Sequence, residues 1–119
     1  MNMEDNMAYV SPSRTSSPTP EGVKWDSGKP DYSLLPWKAL DGVVRVLTYG
    51  AAKYSRDNWR RVTQFRDRYL AASLRHITAW AGGEERDPES GIHHLAHAVV
   101  SLMYLIQTDE ERNNDPGIK

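Results

Sequence analysis

Between residues 36 and 107 the apolar side chains return every three or four positions in three separate stretches, each closed by Gly, Pro or a polar loop. A β-strand needs a period of two, so this spacing commits the chain to helices. The first stretch, Pro36 to about Tyr54, sets Leu40, Val43, Val44, Leu47, Ala51 and Tyr54 on one side and Lys38, Asp41, Arg45 and Thr48 opposite, with Pro36 suited to a first helical position. The second, Gln64 to Ala81, stops at Gly82 and Gly83 and carries two stripes. One is aliphatic (Leu70, Leu74, Ile77, Ala81); the other is mixed (Phe65, Tyr69, Ala72, His76, Trp80). The third, about His93 to Gln107, has a broad apolar face of Leu95, Ala98, Val99, Leu102, Leu105 and Ile106, leaving His93, His94, His97, Ser101 and Tyr104 on the remaining sector. The expectation is an all-α protomer whose three main helices form a bundle. Three helices supply only a thin core for so much apolar surface, so completion of the bundle by homo-oligomerisation, as a dimer or tetramer, is expected.

Outside the helices, residues 1–22 are Ser/Thr/Pro-rich without periodicity and are expected to form a disordered arm, residues 23–108 a single domain, and residues 109–119 a flexible tail. The segment WDSGKPDYSLL suits an ordered loop, and EERDPESGI, with Pro88 and Gly91, a turn of defined shape. No run approaches 18 apolar residues and the N-terminal stretch lacks the basic and hydrophobic regions of a secretory signal, so neither a membrane span nor export is expected, and a cytoplasmic protein is. The 119 residues contain no cysteine, which excludes disulfides, thiolate zinc sites and cysteine nucleophiles. Any metal must be held by His, Asp or Glu.

The net charge of -1 conceals an uneven distribution: from Lys24 to Arg75 eleven Lys or Arg face five Asp, and from His76 to Asp115 two Arg face eight Asp or Glu. One half is fitted to phosphate and the other to a cation, although an oligomer could equally pair its own two faces. All four histidines lie between His76 and His97, and the spacings of three (His94, His97) and four (His93, His97) project imidazoles to one side of a helix, where they can share a metal ion or a phosphate. Capping and interhelical hydrogen bonding are the plain alternative. Glu84, Asp87 and Glu89 stand in the loop just before that helix. Mixed oxygen and nitrogen donors favour Mn, Co, Zn or Fe, while Mg would take the carboxylates and keep its waters; a solvated acidic turn is the plain alternative. Lys53, Arg56, Arg60 and Arg61 cluster with Tyr54 and Trp59, a combination that neutralises phosphates and stacks on a base. Asn58 and Trp59 could equally pin the loop. A specific nucleic-acid partner is not expected, because the chain is not basic overall and no recognition-helix or zinc-finger pattern is present. Phosphate-binding Gly-rich loops, the G-x-S-x-G elbow and H-E-x-x-H are all missing, as is an adjacent His-Asp pair.

The order of motifs resembles a family of small phage and bacterial proteins related to the N-terminal domain of dATP/dGTP diphosphohydrolases, an all-helical group compared with MazG-like nucleotide pyrophosphohydrolases. The resemblance rests on Asp26-Ser27-Gly28-Lys29-Pro30, Tyr49-Gly50-Ala51-Ala52-Lys53-Tyr54, Asn58-Trp59, Leu74-Arg75-His76, Gly83-Glu84, and Asp87-Pro88-Glu89-Ser90-Gly91 running into His93-His94-Leu95-Ala96-His97-Ala98, and spans about Lys24 to Ile106. It implies hydrolysis of a purine deoxynucleoside triphosphate to the monophosphate and pyrophosphate with help from a divalent metal, Mg, Mn or Co. In that reading Glu84, Asp87, His94 and His97 hold the metal, and Glu84, Asp87 and His76 are catalytic. Lys29, Lys53, Tyr54, Arg56, Asn58, Trp59 and Arg75 bind the purine nucleotide, with Tyr54 or Trp59 stacked on the base. If phage-encoded, the protein would act in the host cytoplasm. A non-catalytic phage protein that sequesters a nucleotide would need the basic and aromatic residues but not the metal set, and a helical adaptor would need only the apolar faces.

Overall fold

The computed structural model describes residues 21–114. The expected disordered arm, apart from Glu21 and Gly22, and the last five residues of the expected tail lie outside the described residues. By its contacts the chain divides into two units, Met1–Tyr32 and Ser33–Lys119, each described by itself. In the first, the Lys29 N–H donates to the Asp26 carbonyl at 3.1 Å, closing a turn in which Gly28 takes a φ of 81°. That is the position of a type II turn where a side chain is disfavoured.

The second unit is all-α, as expected. Helix α1 spans Trp37–Lys53, α2 Phe65–Ala81 and α3 His94–Asn113, with a 3₁₀ turn at Asn58–Arg61 between the first two. Pro36 stands at the N-cap of α1 in extended conformation, one position earlier than expected. Gln64 caps α2 in the left-handed region, and its side chain makes no capping bond.

Helix α3 is central: α1 and α2 both pack on it, α2 more extensively. Val43 and Val46 of α1 meet Ala96 and Val100 of α3 in the core, with Leu47, Ile92 and Tyr104 packed around them. Gly42 of α1 faces Ala96 of α3; a Cβ at Gly42 would lie 3.5 Å from the Ala96 Cβ, ordinary contact. The Ser73 side chain, the most buried among the described residues, occupies the inner face of α2 and donates to the Leu70 carbonyl.

Two expectations about faces are corrected. On α3 the histidine sector turns inward, with His94 4% exposed and Ser101 buried, while the apolar side chains Val99, Leu102, Met103 and Ile106 are exposed, Ile106 at 60%. On α2 Phe65, Tyr69, Ala72 and His76 of the mixed stripe are half-buried while its Trp80 is exposed, and Leu70 and Leu74 of the aliphatic stripe are exposed while its Ile77 is half-buried. Aromatic and imidazole rings bury as much apolar area as leucine and also satisfy one another's polar atoms, so the mixed faces win the interior. A third correction concerns the end of α3, which runs to Asn113 rather than fraying at Thr108. Asp109, Glu110 and Glu111 oppose the helix dipole there. The Arg60 guanidinium holds both Glu111 oxygens, at 3.0 and 3.1 Å, Gln107 Nε2 donates to the same carboxylate at 2.8 Å, and Arg112 pairs with Asp109.

Candidate active site

Because α1 and α2 lie side by side on α3 without filling the space between them, they leave a cavity of about 1270 Å³. Tyr49 and Lys53 reach it from α1, Tyr69 and His76 from α2, His97 and Tyr104 from α3, and Arg56 and Asp87 from the connecting loops. The volume exceeds that of a typical small-molecule site and admits a nucleotide.

One wall is made by the loop joining α2 to α3. The Asp87 N–H donates to the Ile92 carbonyl at 2.9 Å and the Gly91 N–H returns to the Asp87 carbonyl at 2.7 Å, a tight reversal that Gly91 permits with a φ of 75°. The Ser90 N–H donates to Asp87 Oδ2 at 2.9 Å, fixing the carboxylate. Burial pushes the Asp87 pKa up, but the Ser90 hydrogen bonds and the neighbouring imidazoles outweigh it, leaving the pKa below its usual value. Asp87 is therefore ionised at neutral pH.

Facing Asp87 are two imidazoles. His94 Nε2 lies 2.7 Å from Glu84 Oε1; a carboxylate only accepts, so Nε2 carries the hydrogen and Nδ1 presents its lone pair. That Nδ1 is 2.8 Å from Nδ1 of His76. Donor atoms of His76, Asp87 and His94 all lie within 4.8 Å of one another. Two imidazole nitrogens and a fixed carboxylate fit a divalent cation, which would replace the proton shared by the two rings. The His76 ring also stacks on His97, with centroids 4.5 Å apart. Burial, and then the neighbouring imidazoles, lower the His76 pKa; burial first also lowers that of His97. Both rings are neutral at pH 7, the state in which nitrogen can be a ligand.

The structure divides the expected metal set. Asp87 and His94 stand together with His76. Glu84 sits on the far side of His94 and orients it, because the turn after Gly83, whose φ is 108°, brings Glu84 to Nε2 rather than to the cluster. His97 Nε2 is engaged by Ser90 Oγ at 2.7 Å and stands 3.9 Å from Asp87, so His97 packs beside the cluster and contributes no donor to it.

Of the expected nucleotide-binding residues, Lys53, Tyr54, Arg56, Asn58, Trp59 and Arg75 all line the cavity. Lys29 belongs to the first unit; the site described here is built from the second alone. Trp59 does not serve as a free stacking platform. Tyr104 stacks on it at 4.2 Å with planes 7° apart, and the Arg60 guanidinium lies 4.3 Å from the same ring centre, so the two must cover opposite faces. Tyr54 is 62% exposed, with Lys53 Nζ 5.3 Å from the centre of its ring. In the sequence Tyr49 carries no role of its own, and Glu89 groups with the loop carboxylates beside the histidines, with a solvated turn as the alternative. Both Tyr49 OH and Lys53 Nζ donate to Glu89 Oε2. The spacing of four between Tyr49 and Lys53 was the available signal, since it places both on one side of α1.

Over residues 19–116 the chain matches the family described as dATP/dGTP diphosphohydrolase, N-terminal. The chain belongs to this family. The dATP/dGTP diphosphohydrolase N-terminal match takes in every helix among the described residues, the loop that carries Asp87 and both imidazoles of the cluster. A protein named dATP/dGTP diphosphohydrolase from Salmonella phage PMBT28 is 38% identical over 84 residues, 71% of this chain and 28% of that protein. The chain thus spans less than a third of that relative's length. No solved structure matches the chain significantly. Among the described residues no helix is long and apolar enough to cross a membrane.

Proposed function

We propose that this chain is a metal-dependent nucleoside triphosphate pyrophosphohydrolase that converts purine deoxynucleoside triphosphates, dATP or dGTP, to the monophosphate and pyrophosphate. The observation that carries the reading is the convergence of His76, Asp87 and the buried His94, the first two of which line a cavity that also presents Lys53, Arg56 and Arg75. The name of the phage relative and the family match support the substrate class. His76, Asp87 and His94 hold the cation, and Glu84 keeps His94 in the required tautomer. Two imidazoles with one carboxylate favour Mn or Co over Mg. Bound there, the cation would supply Lewis-acid stabilisation of phosphate charge and make water a better nucleophile. Water adds to the α phosphorus as the bond to the bridging oxygen breaks, and pyrophosphate departs with that oxygen. Lys53, Arg56 and Arg75 neutralise the charge that develops. The exposed Tyr54 ring stacks on the base. The active species is a homo-oligomer in the cytoplasm of a bacterial cell.

Incubating the purified protein with dATP or dGTP and Mn, Co or Mg, and separating the products, tests this reading. Monophosphate and pyrophosphate in equal amounts are expected, with turnover lowered at least about 100-fold in His94→Asn. Tight nucleotide binding without product under every metal would replace the enzyme by a sequestering protein. Hydrolysis unchanged in His94→Asn would move the site elsewhere.

A further inference from the structure

Tyr49 and Lys53 project from the same side of α1 and donate to one and the same oxygen, Glu89 Oε2. Two donors converging on a single anionic oxygen is the arrangement that a phosphate oxygen requires. The spot lies beside the cation cluster: Glu89 follows Asp87 by two residues, and the Tyr49 ring meets the edge of His97, itself stacked on His76. We infer that Tyr49 and Lys53 form a seat for the polyphosphate tail of the substrate, and that Glu89 is an internal anion that fills this seat until a polyphosphate displaces it. The inference rests on the proposed function for its ligand class, a nucleoside triphosphate.

Three features make the contact displaceable rather than structural. The Lys53 and Glu89 side chains are 41% and 60% exposed, so the pair is screened by solvent and holds weakly. The loop keeps its shape through hydrogen bonds made by Asp87, Ser90, Gly91 and Ile92, and the Glu89 side chain takes no part in them. A triphosphate brings several negative charges where Glu89 brings one. Glu89 meanwhile accepts from the Tyr49 hydroxyl and from Lys53 Nζ at the same oxygen, so both donors point to one spot.

The test uses the full chain in EDTA, which removes the cation cluster from the measurement, with inorganic tripolyphosphate as the probe in titration calorimetry. Glu89→Gln is expected to bind it about three- to tenfold more tightly than the wild type, the scale of losing one screened competing charge. Lys53→Met should bind more weakly, and most of the Glu89→Gln gain should vanish in the double variant, because the gain acts through Lys53. A contact that merely stabilised the loop would lower the melting temperature of Glu89→Gln without raising affinity. Equal or weaker binding by Glu89→Gln, a gain undiminished in the Lys53→Met background, or no binding by any variant would each overturn the inference. The two readings fail separately. Hydrolysis of dGTP with an unimproved Glu89→Gln affinity removes the internal anion and leaves the enzyme. The expected affinity pattern without hydrolysis removes the enzyme and leaves a polyphosphate seat.

Discussion

His94 shows how a single residue is specified by its two ring nitrogens. Only 4% exposed, it would be costly to bury with either nitrogen unsatisfied, and Glu84 and His76 take one each. Since Glu84 contacts the ring on the side away from the cluster, Glu84→Ala should keep the fold and weaken Mn binding about 10- to 100-fold, the usual effect of removing a carboxylate behind a histidine ligand. Calorimetry with Mn and circular dichroism on the same sample would measure both, and undiminished Mn affinity would leave Glu84 without that task. The neighbouring rings carry a pH dependence. Burial depresses the His76 and His97 pKa values below the ordinary 6.5, so the unfolded chain takes up their protons more readily than the folded one. The metal-free protein should hold its full contribution from these groups above about pH 6.5 and lose it as pH falls from there through the lower folded values. Thermal melts in EDTA between pH 8 and 5 should show that decline, and His97→Gln should make it shallower. An identical slope in the variant would assign the acid sensitivity to other groups.

At the scale of elements, the entry to α2 stores strain. Gln64 takes a φ of 54° and a ψ of 42° at the N-cap with no side-chain bond in return. Left-handed geometry costs an ordinary side chain about 1 kcal/mol, and glycine both tolerates it and is accepted at the N-cap. Gln64→Gly should therefore stabilise the protein by about 0.5 kcal/mol after the extra freedom of glycine in the unfolded chain is counted, whereas Gln64→Val should destabilise it. Denaturant melts of the two variants would decide the matter; the reverse order would mean that the cap geometry differs in solution. The 3₁₀ turn Asn58–Arg61 is held differently, by side chains. Trp59 lies between Tyr104 and Arg60, and Arg60 extends to Glu111, whose pKa is lowered to about 2 by that guanidinium and then by Gln107. One turn therefore ties the α1–α2 connection to the last turns of α3. Trp59→Ala should cost roughly 2 to 4 kcal/mol, near the low end for truncating a packed tryptophan because this one is half-buried, and should fray α3 towards Thr108. Amide exchange at residues 108–113 would report the fraying, and unchanged protection there would disconnect the turn from the helix end.

For the molecule as a whole the exposed apolar side chains matter most. Leu70 and Leu74 on α2 and Val99, Leu102, Met103 and Ile106 on α3 face solvent in the single chain. Covering such side chains is favourable by roughly 1 kcal/mol each, given that a complete burial is worth about 1.5 to 3 kcal/mol and these start roughly half covered. Light scattering should report a mass at least twice 13.5 kDa at micromolar concentration, and Leu102→Glu combined with Ile106→Glu should shift it to the monomer. A wild-type monomer would remove the case for a bundle completed by a second copy. Helix number, helix starts within one residue, and the shape of the Asp87 loop were legible in the chain because period, Gly-Gly and Pro are local signals. That histidines, acids and cations would gather near one another was legible too, since His94 and Asp87 are seven residues apart and the loop brings them together.

What the linear pattern could not carry was direction. Periodicity states that a helix has two faces; which of them turns inward depends on what the other helices offer, and here the Phe65, Tyr69 and Ala72 side of α2, with His76, offers partners to the histidine sector of α3. The same limit separates His76 from His97 as a metal donor. Both stand within two helical turns of the loop by sequence, and only the 2.8 Å approach of His76 to His94 and the capture of His97 by Ser90 distinguish them. Local sequence determined the helices, the loop and the supply of chemical groups, because those depend on neighbours within a few residues. The tertiary structure decided which face is buried, which ring nitrogens are free and which anion Lys53 holds, because each is set by a contact between residues far apart in the chain.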